Sequence, residues 1–162
     1  MPKPEISLRR IGADQWGLWR ELRLEALAEA PEAFGSKLAE WQGTGDTERR
    51  WRARLDSVPL NLIADLDGTP AGMVSGVGEG GEVELISMWV APFARGAGVG
   101  DALIEAVIAW AASLQPTRIQ LEVREDNEHA AALYRRHGFA DAGRVEPAAP
   151  DEPPERRMVM RP

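Results

Sequence analysis

Arg95-Gly96-Ala97-Gly98-Val99-Gly100 combines one fixed cation with three alternating glycines. It follows a largely apolar run, Val83 to Val90, that reads as a buried strand. It opens a stretch in which Leu103, Ala106, Val107, Trp110, Ala111 and Leu114 recur at three- and four-residue steps, the period of a helix. A glycine-rich turn between strand and helix leaves backbone N–H groups bare at the positive end of the helix dipole. Glycine also lets an anion's oxygens approach the main chain with no Cβ in the way. Arg95 adds a forked donor at the mouth of the turn. The chemistry this spacing points to is the grip of a pyrophosphate.

What the loop lacks narrows the choice of pyrophosphate. No Gly-Lys-Ser/Thr is present, which excludes a Walker-type nucleotide loop. A dinucleotide fingerprint needs G-x-G-x-x-G in a tight turn, and the glycines here are Gly96, Gly98 and Gly100. Ala91-Pro92-Phe93-Ala94 also separates strand from glycines, although Glu122 lies about where a ribose-binding acid would. The remaining reading is a connection with no ligand, against which stands the conformational entropy that three glycines lose on folding.

A second segment, Asn127 to Phe139, follows another strand-like run, Arg118 to Val123. Asn127 suits an N-cap, Gly138 suits the left-handed position after a helix, and the alanines between them favour helix. At this point the chain resembles the GNAT superfamily of acyl-CoA-dependent N-acetyltransferases. Arg95-x-x-Gly98-x-Gly100 is similar to that family's pyrophosphate loop. Asn127-x-x-Ala130-x-x-x-Tyr134-x-x-x-Gly138-Phe139 is similar to its second conserved segment, and Leu22-Arg23 to Ala33-Phe34-Gly35 to the first helix and loop of many bacterial members. The resemblance covers nearly the whole chain and implies one N-acetyltransferase domain over residues 1–162.

Composition agrees with such a domain. At 162 residues the chain can bury one real core, and 44% hydrophobic with 28% charged residues is ordinary for a globular protein. No window reaches the ~18 to 20 apolar residues that span a bilayer, and Met1-Pro2-Lys3-Pro4-Glu5 is no secretory signal; the expectation is a cytoplasmic protein that does not bind membranes. The absence of cysteine removes disulfides, thiolate zinc sites and a thiol nucleophile. Two histidines, His129 and His137, cannot build a metal centre, so no metal is expected, and both read as exposed helix residues. A formal charge of −7 argues against nucleic acid and is compatible with a cationic amine substrate. Arg49-Arg50-Trp51-Arg52-Ala53-Arg54 is the local exception; it reads as the solvated face of a helix anchored by Trp51 and Leu55, or else as a contact for an acidic partner.

The elements needed to hold these residues can be read in outline. Glu5 to Arg10 alternates as a strand, and Asp14 is positioned to cap a helix running to about Ala28 with Trp16, Trp19, Leu22 and Ala26 on one stripe. Pro31 and Gly35 interrupt, and Gly43-Thr44-Gly45 separates a short helix from the arginine-rich one. Leu60–Leu66 and Pro70–Val77 form a hairpin turned at Asp67-Gly68, and Gly78 to Gly81 turns into the strand ending at Val90. Phe139 to Val145 and Arg157 to Met160 close the sheet around a proline-rich loop, Pro147 to Pro154. Helices interleaved with a mixed sheet give an α/β fold of three layers. The resemblance implies a GNAT-like α/β/α arrangement whose central sheet splays between the strand ending at Val90 and the Arg118 strand. The pantetheine arm of acetyl-CoA would lie in that splay, paired with main-chain groups of Met88, Trp89 and Val90.

Acetyl transfer to an amine needs a neutral amine, a polarised thioester carbonyl and a proton for the leaving thiolate. Glu84 is the candidate base: it interrupts an apolar strand where some GNAT enzymes carry a strand-borne glutamate. By strand alternation it is expected on the same side as Met88 and Val90, and its alternative is the strand's solvated start. A carboxylate in a partly dry cleft has its pKa raised toward the working pH. Main-chain N–H of Met88 or Val90 is the candidate oxyanion donor. The resemblance assigns Tyr134, the only tyrosine in the chain, to protonation of the departing thiolate; otherwise it is an amphipathic core aromatic. It also places Asn127 on the pantetheine arm, with Arg136 either on the nucleotide phosphates or simply exposed. The expected function is transfer from acetyl-CoA to a primary amine of a small molecule or peptide by direct attack in a ternary complex, by a monomer or homodimer. A non-catalytic acyl-CoA sensor and a dinucleotide-dependent oxidoreductase are the rivals. Residues 31 to 54 would line the acceptor side and carry no chemical signature.

Overall fold

A computed structural model of the chain describes residues 3–31, 37–147, 150 and 152–162. In chain order these form β1 (Ile6–Arg10), α1 (Trp16–Glu29), α2 (Glu48–Ser57), β2 (Leu60–Leu66), β3 (Thr69–Glu79), β4 (Glu82–Val90), α3 (Val99–Ala112), β5 (Arg118–Arg124), α4 (Glu128–Arg136), β6 (Ala140–Val145) and β7 (Glu155–Met160). The sheet runs β1-β2-β3-β4-β5-β7-β6. Every neighbouring pair is antiparallel except β4 with β5. The expected mixed α/β fold is the one observed. Among the described residues no helix is long and apolar enough to cross a membrane.

Two apolar layers cover the sheet. On one face Leu103, Ile104, Val107 and Ala111 of α3, with Ala131 and Tyr134 of α4, pack on Leu62, Val74, Val83, Leu85, Ile119 and Leu121. On the other, Trp19, Leu22 and Ala26 of α1 with Trp51 and Leu55 of α2 pack on Ile63, Met73 and Trp89. Trp19 and Trp51 are wholly buried, so truncating either to alanine costs ~3–5 kcal/mol.

Several local signals act as expected. Asp67 (φ 50°) and Gly68 (φ 84°) turn the β2–β3 hairpin with both central residues left-handed. Asn127 caps α4 by accepting from Ala130 N–H at 3.1 Å. At the other end, Gly138 N–H donates to Arg135 C=O and Phe139 N–H to Tyr134 C=O, a Schellman closure. Other expectations shift. Asp14 does not cap α1, because the helix is entered through a short turn at Ala13–Gln15, where the Gln15 side chain accepts from Gly12 N–H at 2.7 Å. Leu114 falls beyond the end of α3 and is exposed, not on its buried stripe. His137 is half-buried and bonded to Asp101 at 2.7 Å, whereas His129 is exposed. Gly35, with the rest of the Ala33-Phe34-Gly35 segment, lies outside the described residues.

Candidate active site

The parallel pair that joins the halves of the sheet is short. Glu82, Val83 and Glu84 pair with Arg118, Ile119 and Gln120, and the ladder ends there. From Leu85 onward the β4 edge facing β5 carries no strand, which leaves backbone polar groups along a cleft. A cavity of about 740 Å³ occupies the opening; Ser87, Met88, Gly98, Glu122, Asn127 and Tyr134 are among its walls. It runs from the β4–β5 splay to the N-terminus of α3.

At that N-terminus the loop has the conformation its glycines allow. Gly96 (φ 82°) and Gly98 (φ 93°) are left-handed, and Gly98 is the N-cap of α3. Gly100 has a different task. A Cβ there would lie 3.1 Å from Leu133 and 3.5 Å from Met88, so its missing side chain lets α3 approach α4 and β4. Gly96, Gly98, Val99 and Gly100 line the cavity, and Ala97 does not. The first N–H groups of a helix have no partner within it. The cavity wall here is therefore rich in bare donors at the positive end of the α3 dipole.

Arg95 stands beside these donors already engaged. It meets the Glu29 carboxylate at 2.9 and 3.0 Å, and its Nε donates to Val90 C=O at 3.1 Å. Glu29 also accepts from the Trp89 indole at 2.8 Å, and the indole, followed by Arg95, holds this carboxyl below its ordinary range. Glu29 was not among the sequence candidates. It is the last residue of α1, and no local spacing links it to Arg95. On the far wall Arg136 is exposed and bonded to Asp101 at 2.8 Å. Met88 and Val90 turn toward Gly100 and α3, whereas Trp89 packs in the opposite layer.

Tyr134 is 6% exposed, its ring packed edge-on to Phe139 at 6.0 Å. Burial pushes the phenol well above its usual range, so it holds its proton at any physiological pH. Its hydroxyl has no hydrogen-bond partner among the described residues, and the side chain lines the cavity.

Glu84 departs from the expected geometry. Two β4 residues, Ser87 and Met88, stand opposite the single residue Val74 of β3, and Ser87 takes φ 57°. A bulge adds one residue and reverses the in-out alternation beyond it. Val83 and Leu85 before the bulge therefore share the α3 face with Met88 and Val90 after it. Glu84 faces the opposite layer, the side of α1 and α2, and is not on the cavity wall. It is half-buried there; burial, then the nearby Glu122 charge, raises its pKa, and Arg157 opposes them. Glu122 does line the cavity and accepts from Arg157 at 3.0 Å.

The same face carries one buried and one half-buried cation. Arg54 of α2 donates to Asn61 Oδ1 at 3.0 Å, Ser75 Oγ at 3.1 Å and Ser87 Oγ at 3.2 Å, with its guanidinium 5.4 Å from the Trp19 ring. Arg23 of α1 is 7% exposed. Burial pulls both down to about 10, and the Arg54 charge adds to the effect on Arg23. The solvated-face reading of the arginine-rich helix holds for exposed Arg49, but Arg54 turns inward. The signal was present: Trp51, Arg54 and Leu55 are spaced for one helix face.

The comparisons with known proteins agree with this architecture. The model of the acetyltransferase (GNAT) family matches residues 19–139. A mycothiol acetyltransferase of Clavibacter sepedonicus is 33% identical over 141 residues, covering 85% of this chain and 43% of that protein. The chain thus spans under half the length of such relatives. A GNAT-family acetyltransferase of Streptococcus pneumoniae superposes with a TM-score of 0.78 at 22% identity, over 97% of this chain and 99% of that one. The PaiA N-acetyltransferase of Thermoplasma acidophilum, solved with coenzyme A, gives 0.74 at 14% identity, over 97% and 99%. With the match spanning both the glycine loop and the α4 segment, this chain belongs to the GNAT family of acetyltransferases.

Proposed function

We propose that the protein transfers the acetyl group of acetyl-CoA to a primary amine by direct attack within a ternary complex. The observation that carries the reading is one cavity joining a strandless β4 edge to a helix N-terminus where the N–H groups of Gly96, Gly98, Val99 and Gly100 have no partner among the described residues. Those parts suit the donor: the N–H groups of Gly96, Gly98, Val99 and Gly100 would hold its pyrophosphate, with Arg95 beside them and Arg136 at the rim, whereas Ala97 N–H already donates to Ala94 C=O. The main chain of Met88, Trp89 and Val90 and the Asn127 side chain would hold its pantetheine arm, although Val90 C=O already accepts from Arg95. When bound, acetyl-CoA supplies an already activated acyl group, so the protein needs no nucleophile of its own. Main-chain N–H of Met88 or Val90 is assigned to the carbonyl oxygen. Tyr134, protonated and on the wall, gives a proton or hydrogen bond to the departing sulfur. Glu84, its pKa raised, is assigned as the final acceptor of the amine's proton; because Glu122 and not Glu84 lines the cavity, the proton would reach Glu84 through water.

The test is turnover of acetyl-CoA with a panel of amino acids, polyamines, aminoglycosides and peptide N-termini, reading free thiol and acetylated amine together. Stoichiometric appearance of both is expected. Tight coenzyme A binding with no acetylated amine would instead favour a sensor.

A further inference from the structure

Arg54 is a half-buried guanidinium whose three partners, Asn61, Ser75 and Ser87, are all neutral. Removing a cation from water is costly unless an anion or a full set of hydrogen bonds compensates. Its bonds use Nη1 and Nη2 and leave Nε–H with no partner among the described residues. Arg23 of α1 lies close enough for the Arg54 charge to act on it.

Ser87 connects this charge to the cavity. Its hydroxyl oxygen accepts from Arg54, and it is also on the cavity wall. Ser75 accepts from Arg54 in the same way but spends its proton on Asn61 Oδ1 at 2.7 Å. Ser87 has no such acceptor among the described residues, so its O–H is left to donate, polarised from behind by a guanidinium. A non-glycine residue at φ 57° is strained, and such positions persist where the surroundings hold a side chain in place. The bulge is what turns Ser87 to this position.

The register locates the group. Ser75, under Arg54, pairs with Ile86, and Glu84 stands two residues away on the same face. Glu122 is on β5, one strand further on. At ~3.3 Å of rise per residue, Glu84 lies about 10 Å along β4 from Ser87, and Glu122 stands across the splay, beyond the last paired residues of β4 and β5. Building on the transfer reading above, we infer that the acceptor is an amine carrying its own carboxylate ~5–10 Å or less away, an amino acid or short peptide, with Ser87 and Arg54 forming the carboxylate subsite. Ser87, on the cavity wall, would make the contact, and Arg54, which is not on the wall, would act from behind it.

The test is calorimetric binding of matched pairs to the coenzyme A-loaded protein: α- and ω-amino acids and dipeptides against their carboxamides. At least one acid is expected to bind ~tenfold or more tightly than its amide. Arg54→Gln should reduce that ratio to near one, and Arg54→Lys should retain part of it. The thermal melt and coenzyme A affinity of each variant report folding, and the wild-type ratio needs no variant. Amides binding as well as acids, neither binding while coenzyme A does, or a preference surviving Arg54→Gln would each overturn the subsite. Failure of the transfer reading is separate: it would appear as acid binding with no thiol released from acetyl-CoA.

Discussion

At the α3 end of the cavity, Gly96 to Gly100 and the free edge of β4 present main-chain groups, arranged by local conformation. Across the sheet, Arg23, Arg54, Glu84 and Glu122 present side chains from four different elements, held by contacts over long sequence separations. Main-chain donors are indifferent to what the rest of a ligand looks like, and a loop built from them serves any molecule with the same pyrophosphate. Side chains converging from α1, α2, β4 and β5 can be exchanged one at a time, and each exchange alters charge at one point. The first construction suits a constant donor and the second a particular acceptor.

The sharpest way to break this division is at Tyr134, which shares the cavity wall with the glycine loop and with Glu122. Tyr134→Phe keeps the ring on Phe139 and removes one oxygen, so stability should move by no more than ~1 kcal/mol. If the hydroxyl acts only as charge builds on sulfur, kcat and kcat/KM should fall together on the order of 10² while acetyl-CoA affinity holds. A lower Tm with normal kcat would make Tyr134 a core aromatic. Glu84→Gln should also lower kcat on the order of 10² and remove the acidic limb of the pH–rate profile. A carboxyl whose folded pKa is raised makes folding less favourable as pH climbs from the unfolded toward the folded value. Above that window the variant should therefore melt no lower than wild type. An unmoved profile would leave the amine to be deprotonated elsewhere.

The loop gives a smaller effect but a cleaner reading. Gly96 is left-handed and a Cβ there meets nothing within 4 Å, so Gly96→Asp and Gly96→Asn share the same backbone strain and differ by a charge. Coenzyme A should bind the Asp variant at least ~tenfold more weakly than the Asn variant, about 1.4 kcal/mol. Equal affinities would mean that no phosphate sits at this turn. Gly98→Asp would be harder to interpret, because Gly98 is the left-handed N-cap of α3 and a destabilised helix start would weaken binding by itself.

The two regions also differ in how far the sequence revealed them. The strand–loop–helix run, the Asn127 cap and the Gly138 closure are decided within a few residues, and each was readable. The β4 bulge was not, since serine is no marker for positive φ and the flip appears only when β4 is laid against β3. Alternation therefore put Glu84 on the wrong face. Glu29 escaped because its partners, Trp89 and Arg95, are 60 and 66 residues away. Arg54 was hidden differently: a run of arginines suggests a wet surface, and charge outweighed the helical spacing from Trp51 that would have turned it inward.

If the α1–α2 side rests on paired side chains, acid should loosen it before it loosens α3. Asp46 tests this. It joins the two helices, accepting from Arg20 Nε at 2.7 Å and from the Trp51 indole at 2.8 Å. Arg20 first and Trp51 second hold its carboxyl down to about 2. A free aspartate titrates near ~3.9. The stabilisation is thus fully present above the unfolded value and is lost as pH falls through the folded one. Wild type should lose stability between about pH 4 and pH 2, and Asp46→Asn, which has no such proton to take up, should lose less. The gap in Tm between them, widest near neutrality, should close across that window. Hydrogen exchange should show α2 amides losing protection there before those of α3, whose packing on the sheet is apolar. Parallel melting curves, or simultaneous loss of protection in α2 and α3, would mean that both halves are held by the same apolar core and that the division is one of chemistry alone.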